Sequence, residues 1–495
     1  MKTAMNTTKL PSLNFTLAVS KRIWLLVFVL ITLTAAPAAS AAKETIKPDD
    51  PFYASSGSWD QKFGDQWGLQ RIGFTPIGKG KSAWDEISKA THPVVVAVID
   101  TGLDYFHPDF DRKNLWRNTK EIENGLDDDH NGFVDDLIGW NFVDDNNNPW
   151  DRTGHGTHVA GIISASTNNG EGIAGINPNV KIMPLKVLNF VGRGNSSRIA
   201  EAIFYAVNNG AQVINLSLGG EMVTRIEKAA VNYANKQGVL LVVASGNTAS
   251  NTADYGYAHL DSVITVVASD VDDKRATFSN WGQDVKLAAP GIDILSLRAR
   301  RTDLVQVSGA ENYTPGTDFV GKDNKYYRAS GTSFAAPFVS GVASLLLSIN
   351  PQLTAKQVTR MMTMSARDIE VPGWDQLSGY GILDARAAMD ADPDYYTDAR
   401  VESITPVRQD GGIFLQINGT ADSSELKDYV LEIGFGESPD EWKRVSEPAK
   451  KGVTDGILGL IKAQAFEKRG KWTVRVVINT KKHGAKEGRG SIDVN

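Results

Sequence analysis

The run VVVAVIDTG at residues 94–102 contains six apolar residues in succession and then ends in Asp100 and a turn. Four further apolar runs have the character of buried strands: 181–187, 213–218, 239–245 and 263–269. Segments with helical periodicity lie among and after them: 155–166, 197–209, 224–237, 333–349 and 355–365. Continuous Val/Ile/Leu strands that alternate with helices indicate a mostly parallel sheet covered on both faces. The sequence therefore predicts an α/β domain with three layers.

Polar side chains stand where these predicted strands end and where the helices begin. Asp100 ends the first strand, His155 opens a helix within HGTHVAG, and Ser333 opens a helix within GTSFAAP. In open parallel sheets, sites lie outside the carboxyl ends of the strands. We therefore expect the three side chains to meet at this edge.

An aspartate, a histidine and a serine complement one another chemically. A serine hydroxyl is a weak nucleophile near neutral pH, so it needs a base within hydrogen-bond reach, and the base needs a group that orients it. The order Asp, His, Ser is one of the chain orders in which this arrangement occurs. Asn247 follows another strand in ASGN. Its amide and the backbone N–H of Ser333 are candidate donors to an oxyanion.

On these motifs, the chain resembles the subtilisin-like serine proteases, the subtilase family or peptidase family S8. The matching motifs are VIDTGLD, HGTHVAGI, ASGN and GTSFAAP, together with the stretches 107–109, 213–220 and 289–291. The resemblance extends from about residue 50 to residue 392. It implies a secreted serine endopeptidase with a three-layer subtilisin-like catalytic domain. Asp100, His155 and Ser333 would be its triad, and Asn247 would hold the oxyanion.

The resemblance also implies a substrate-binding cleft. Six residues would line it: Ser217, Leu218 and Gly219 along an edge that pairs with an extended peptide, and Ala244, Ser245 and Gly246 opposite. Because both walls carry small residues, we expect a roomy apolar pocket and broad specificity, with a preference for large apolar or aromatic residues before the scissile bond. The acidic residue Glu221, next to this edge, leaves open a preference for basic substrate residues. Residues 256–259 read GYAH where many relatives have Tyr-Pro-Ala.

Two groups of oxygen-bearing side chains are candidate Ca²⁺ sites. The acidic insertion at 124–136 carries oxygen ligands at alternate positions around a glycine, which is typical of calcium loops, and similar loops bind calcium in some subtilases. We predict four side-chain ligands there: Asp127, Asp129, Asn131 and Asp135. A solvated acidic turn is the alternative. The resemblance implies a second structural site at Asp109 and Asn169, completed by backbone carbonyls.

The N-terminus has the features of an export signal. Basic residues precede an apolar run at 23–36, and the small-residue sequence Ala39-Ser40-Ala41 follows. We predict a signal peptide at 1–41 and a secreted protein, extracellular or periplasmic, with no stable membrane anchor after cleavage. An uncleaved anchor is the alternative.

Composition excludes several other classes of function. The chain has no cysteine, so it has no disulfide, thiol nucleophile or thiolate metal site. Its net charge of −6 argues against nucleic-acid binding. The expected partners are protein or peptide substrates of a monomer.

Two segments flank the predicted peptidase domain, 93–392. Residues 42–92 resemble the lead-in of the catalytic domain in many subtilases and leave no room for a folding pro-domain, so we expect folding without one. Residues 399–495 alternate with period two, which predicts a small antiparallel β-sandwich with an accessory, stabilising role. A non-catalytic binding protein built on the same scaffold is the alternative to a protease.

Overall fold

The computed structural model places a sheet of seven parallel strands at the centre of the larger part of the chain. The structure describes residues 48–75, 81–220, 222–260, 262–300, 319–321, 324–409 and 411–494. The strands are β1 (Val94–Asp100), β2 (Trp140–Asn141), β3 (Val180–Lys186), β4 (Val213–Leu216), β5 (Leu240–Ala244), β6 (Ile264–Ser269) and β7 (Val285–Pro290). Their spatial order is β2-β3-β1-β4-β5-β6-β7. The predicted signal peptide and residues 42–47 lie outside the described residues.

Helices cover both faces of this sheet. They are α1 (Pro51–Ala54), α2 (Trp67–Arg71), α3 (His155–Ser164), α4 (Ser196–Asn208), α5 (Arg225–Lys236), α6 (Thr332–Ile349), α7 (Ala355–Met364) and α8 (Ala385–Asp390). Alternate side chains of β1 enter different cores: Val96 and Val98 pack in the core that contains α3 and α6, whereas Ala97 and Ile99 pack in the core that contains α4 and α5. The predicted three-layer α/β architecture is confirmed.

The longest helix, α6, runs through the core. Within the described residues it is the one helix long and apolar enough to cross a membrane, and 89% of it is buried inside the protein. It begins at Thr332, so that Ser333 lies in its first turn.

The predicted elements agree with the observed ones to within two residues at each end. The largest shifts are in α3, which ends at Ser164, and in β4, which ends at Leu216 and leaves residues 217–220 without regular structure. The strands β2 and β7 were not predicted. A strand of two residues carries no periodic signal, and β7 is interrupted by the partly exposed Lys286.

A small antiparallel sheet precedes α6. It consists of β8 (Ile294–Leu297), β9 (Phe319–Val320) and β10 (Tyr326–Ala329), in the order β8-β10-β9. The stretch 301–328 is polar with scattered aromatic residues, which predicts a β-hairpin-like excursion before α6; its residues 301–318, 322 and 323 lie outside the described residues.

The C-terminal residues form two antiparallel sheets, as predicted. Their strands are β11 (Thr397–Gln409), β12 (Gly412–Ser423), β13 (Leu426–Phe435), β14 (Lys443–Arg444), β15 (Val453–Lys462), β16 (Gly470–Thr480) and β17 (Ala485–Val494). One sheet has the order β11-β12-β15 and the other β14-β13-β16-β17. Ile417, Leu431 and Val476 share one apolar core between the two sheets.

These C-terminal sheets pack directly on the larger part. Trp374 forms a β-bridge with Gly488, and the guanidinium of Arg400 lies 5.6 Å from the ring centroid of Trp374. The sequence Asp392-Pro393-Asp394, which we predicted as a boundary, lies between α8 and β11.

Candidate active site

A buried aspartate and histidine meet at the carboxyl edge of the parallel sheet. Asp100 is the last residue of β1, and His155 is the first residue of α3. The Nδ1 atom of His155 lies 2.7 Å from Oδ1 and 2.9 Å from Oδ2 of Asp100. Both side chains are buried. Because Asp100 binds Nδ1, the other ring nitrogen, Nε2, remains available for a second hydrogen bond.

The electrostatic environment of His155 favours its protonated form. Burial lowers the pKa of the imidazole, but the charge of Asp100 and the hydrogen bond to it outweigh burial, and Asp151 adds to their effect. The net result is a pKa above the ordinary value for histidine. Nε2 of His155 is buried and has no hydrogen-bond partner within the described residues.

Asp151 and a close backbone approach fix the start of α3. The carboxylate of Asp151 accepts hydrogen bonds from the N–H groups of Thr153, Gly154 and Thr157 and from the Thr157 hydroxyl. Acceptors at this position satisfy the free N–H groups of a first turn. A Cβ on Gly156 would lie 2.2 Å from the carbonyl oxygen of Gly102, so only glycine lets α3 pack this close to the end of β1.

A proline within α6 leaves the carbonyl of Ser333 free to bind the segment that follows β4. Pro337 has no N–H, so the carbonyl of Ser333, four residues earlier, has no helical partner. The hydroxyl of Ser217 donates to that carbonyl at 2.7 Å. In return, Oγ of Ser333 donates to the carbonyl of Ser217 at 3.2 Å.

Asn247 is anchored beside Ser333 through its amide oxygen. Oδ1 of Asn247 accepts from the N–H of Thr332 at 2.9 Å and from its hydroxyl at 3.0 Å. The same hydroxyl accepts from the N–H of Gly246 at 3.1 Å. The amide oxygen is thus occupied, and Asn247 is one of the residues that line the cleft beside Ser333. Thr332 was not predicted as part of the site, because its role depends on a contact 85 residues away along the chain.

A cleft of about 440 Å³ passes Ser333 and Asn247. Five of the six predicted cleft residues line it: Ser217, Leu218, Gly219, Ala244 and Gly246. The sixth, Ser245, is buried behind the wall, where its N–H donates to the carbonyl of Val266. Tyr255 and Tyr257 also line this cleft. Glu221 lies outside the described residues.

The acidic insertion brings together two of its four predicted ligands. Carboxylate oxygens of Asp127 and Asp129 lie within 4.8 Å of each other and of the carboxylate of Glu121. The carboxylate of Asp135 instead accepts hydrogen bonds from the N–H groups of Asn124 and Gly125. Asn131 donates its amide to Asp136. Glu121 was not predicted as a ligand, because it precedes the insertion and lies outside the alternating pattern of its oxygen-bearing residues.

Asp109 and Asn169 are in direct contact. The amide of Asn169 donates to Oδ1 of Asp109 at 2.8 Å. Nearby, Asp50 accepts from the N–H of Asn168 at 2.9 Å, and this carboxylate was not predicted as part of the group. Burial, with a smaller contribution from the other carboxylate, raises the pKa of Asp109 to about 8. Burial also raises the pKa of Asp50 to about 6. Oxygen atoms in such a set are the donors that Ca²⁺ prefers.

The chain is similar to one family of proteins. The model of the subtilase family matches residues 91–381, which is more than half of the chain. A thermophilic serine proteinase of Bacillus sp. (strain AK1) is 41% identical over 266 residues, covering 54% of this chain and 55% of that protein. Thermitase of Thermoactinomyces vulgaris is 35% identical over 301 residues, covering 61% of this chain and 85% of that protein.

Other similar proteins are longer than the matched region. Fervidolysin of Fervidobacterium pennivorans is 34% identical over 337 residues, covering 65% of this chain and 43% of that protein. The chain spans about half the length of several curated relatives that it matches. A solved structure of a cold-adapted subtilisin-like serine proteinase covers 64% of this chain and 96% of that chain, with 29% identity and a TM-score of 0.47.

Proposed function

This chain belongs to the subtilase family, and we propose that it is a serine endopeptidase that hydrolyses peptide bonds through an acyl-enzyme on Ser333. The observation that carries this proposal is the hydrogen bond of 2.7 Å between buried His155 and Asp100, at the sheet edge where Ser333 opens α6. A histidine oriented in this way is a general base whose free nitrogen can take a hydroxyl proton.

The proposed reaction begins at the hydroxyl of Ser333. The hydroxyl turns from the carbonyl of Ser217 toward Nε2 of His155, which takes its proton as Oγ attacks the substrate carbonyl carbon. Asp100 stabilises the imidazolium. The proton then passes to the leaving amine as the C–N bond breaks, and an ester on Ser333 remains. Water, deprotonated by the same histidine, hydrolyses the ester and regenerates the serine.

The oxyanion of each tetrahedral intermediate needs donors that are fixed before the reaction starts. Two groups meet this condition: the NH₂ of Asn247, whose oxygen is held by Thr332, and the backbone N–H of Ser333 in the first turn of α6. Preorganised donors of this kind contribute to the rate because they need no reorganisation when charge develops.

Asn247→Ala should lower kcat by about 10²- to 10³-fold with little change in KM, because the lost donor acts on the transition state. Steady-state kinetics on one peptide substrate would measure this. Asn208→Ala, at the exposed end of α4, is the matched control and should retain the wild-type kcat. An unchanged kcat in Asn247→Ala would remove Asn247 from the proposed mechanism.

The peptide would bind along the segment after β4. Within the described residues, no hydrogen bond involves the backbone of Leu218 or Gly219, so their polar groups are available to pair with an extended substrate. Ala244 and Gly246 form the facing wall. Backbone pairing is indifferent to side chains, so we propose broad specificity at the substrate positions that this pairing binds.

We also propose where the protein acts and how its chain is divided into domains. The protein would be exported by the segment 1–41 and would act as a secreted monomer on proteins and peptides. The peptidase domain would span 93–392, with 42–92 as its lead-in. Residues 399–495 would be an accessory domain that stabilises it, which the contact of Arg400 with Trp374 supports.

Structural calcium is proposed at two places. The first is the carboxylate group of Glu121, Asp127 and Asp129, and the second is Asp109 with Asn169 and Asp50. In the second group burial is the main cause of the raised pKa values of Asp109 and Asp50, and a divalent cation would favour the ionised forms of both carboxyl groups. Bound calcium would cross-link the segments that carry these residues.

Removal of calcium with a chelator should lower the free energy of unfolding by about 3 kcal/mol for a site held at 100-fold its Kd. Thermal unfolding of Ser333→Ala, which cannot digest itself, would be followed in Ca²⁺, in Mg²⁺ and in EGTA. Asp127→Asn and Asp109→Asn should each remove part of the effect, whereas the exposed Asp272→Asn should not. Identical melting temperatures in Ca²⁺ and EGTA would contradict both sites.

The proposed function is tested by digestion of a diverse peptide library with the purified protein beside Ser333→Ala. New termini would be identified by mass spectrometry. We expect internal cleavage by the wild type alone. The absence of cleavage by both folded proteins would favour the alternative of a binding protein on this scaffold.

A further inference from the structure

The ring of Tyr255 lies between the two walls of the cleft. A Cβ added to Gly219 would lie 2.5 Å from Cε1 of Tyr255 and 2.9 Å from its hydroxyl oxygen. A Cβ added to Gly246, on the opposite wall, would also lie 2.5 Å from Cε1 of Tyr255. The same edge of the ring therefore packs against both glycines and fills the space that separates them.

The backbone on both sides of Tyr255 is fixed. Its N–H donates to the carbonyl of Thr252 at 2.9 Å, and its carbonyl accepts from the N–H of Ala258 at 3.1 Å. Gly256 has φ of +43°, and a Cβ there would lie 2.6 Å from the carbonyl oxygen of Gly220. The segment after Tyr255 is thus packed against the backbone of the wall that contains Gly219 and Gly220.

The space behind this segment is also occupied. Tyr257 is buried, and its hydroxyl donates to Oε1 of Glu227 at 2.7 Å. The other carboxylate oxygen of Glu227 accepts from the N–H and the hydroxyl of Thr224 at the start of α5. This hydrogen-bonded set fixes Tyr257, two residues after Tyr255, on the start of α5, and Tyr255, Tyr257 and Glu227 all line the same cleft.

The small residues of the two walls accommodate a side chain of the protein itself. From the sequence alone, glycines on both sides indicate room for a large substrate side chain. In the structure the glycines make room for Tyr255, because a side chain at either position would overlap its ring. The ring of Tyr255 therefore occupies the part of the cleft between the two glycines.

We propose that Tyr255 is a specificity-determining residue that restricts the position before the scissile bond to small residues such as alanine, serine and glycine. This inference rests on the proposed endopeptidase function, and it replaces the expected preference for large apolar or aromatic side chains. A large side chain would have to displace a ring that is packed on two sides, and the loss of that packing would be subtracted from the binding energy available to the transition state.

The test uses a series of peptides that are identical except for Ala, Ser, Leu or Phe before the scissile bond. For the wild type, kcat/KM for the Ala peptide should exceed that for the Phe peptide by at least about tenfold. Tyr255→Ala should reduce or reverse this ratio by at least about tenfold, because it opens the space between Gly219 and Gly246. Tyr255→Phe keeps the ring and should keep the wild-type ratio.

Two results would overturn the inference. One is a wild type that cleaves the Phe and Ala peptides equally well, which requires only the wild-type protein and is independent of how the variants fold. The other is a folded Tyr255→Ala variant with an unchanged ratio. In both cases reaction of Ser333 with a fluorophosphonate would show that the proposed function stands. The absence of both reaction and cleavage would instead overturn the proposed function, and the role of Tyr255 with it.

Discussion

Ser333→Ala should lower kcat for peptide hydrolysis by about 10⁶-fold, because members of such a triad act as a unit and the remaining residues cannot form the acyl-enzyme. The side chain contributes one hydrogen bond to the fold, from Oγ to the carbonyl of Ser217, so the variant should remain folded. Its kcat would be measured on one peptide, and its far-UV circular dichroism and melting temperature would be compared with those of the wild type.

The control for this prediction is a second variant in the same unit. His155→Ala should lower kcat to a similar extent, and the double variant Ser333→Ala/His155→Ala should lose little more than either single variant. Losses that multiply in the double variant would show that the two side chains act independently. That result would contradict the assignment of His155 as the base for Ser333.

Asp100→Asn should lower kcat by about 10⁴-fold while leaving the geometry of the site nearly unchanged. Oδ1 of Asp100 accepts from the N–H of Thr101 at 2.7 Å, so the amide oxygen of an asparagine would be held there. Its NH₂ would replace Oδ2, which lies 2.9 Å from Nδ1 of His155, and the negative charge that favours a proton on Nδ1 would be lost, so the tautomer in which Nδ1 accepts becomes favoured. The ring proton would be left on Nε2, where it prevents His155 from taking the proton of Ser333.

The pH profile separates this explanation from a general loss of structure. The base must be neutral, so kcat/KM of the wild type falls as pH falls through the pKa of His155, which lies above the ordinary histidine value. Without the charge of Asp100, only Asp151 counteracts the effect of burial, so burial lowers the pKa of His155. The acidic limb of Asp100→Asn should therefore lie at lower pH than that of the wild type. An acidic limb at unchanged or higher pH would contradict this role, and Asp272→Asn is the matched control.

Local signals were sufficient for five of the seven strands of the central sheet and for the placement of Asp100 and His155 at its edge. Apolar runs such as 94–100 are long and uninterrupted, and the motifs around Asp100, His155 and Ser333 stand directly at their ends. The start of α3 could have been inferred more fully, because its N-cap Gly154 has no side chain to accept a hydrogen bond and Asp151 is the nearest carboxylate before it. Likewise, Pro337 within a helical pattern indicates that the carbonyl of Ser333 needs another donor.

Contacts between distant segments could not be predicted in this way. The anchoring of Asn247 by Thr332 and the approach of Asp50 to the loop at Asn168 join residues that are far apart in sequence and have no shared period. Tyr255 is the clearest case. The family resemblance identified Gly219 and Gly246 as cleft residues but did not identify the side chain that packs against them. Shape complementarity of this kind becomes visible only when both walls and the intervening ring are in place.

The central claim is that Ser333 is a nucleophile activated by His155, and covalent labelling tests it most directly. The folded wild type would be treated with a fluorophosphonate, and the intact mass and the modified peptide would be determined beside Ser333→Ala. We expect one adduct on the wild type, located on Ser333, and no adduct on Ser333→Ala. A folded wild type without an adduct, or an adduct of equal extent on Ser333→Ala, would contradict the account.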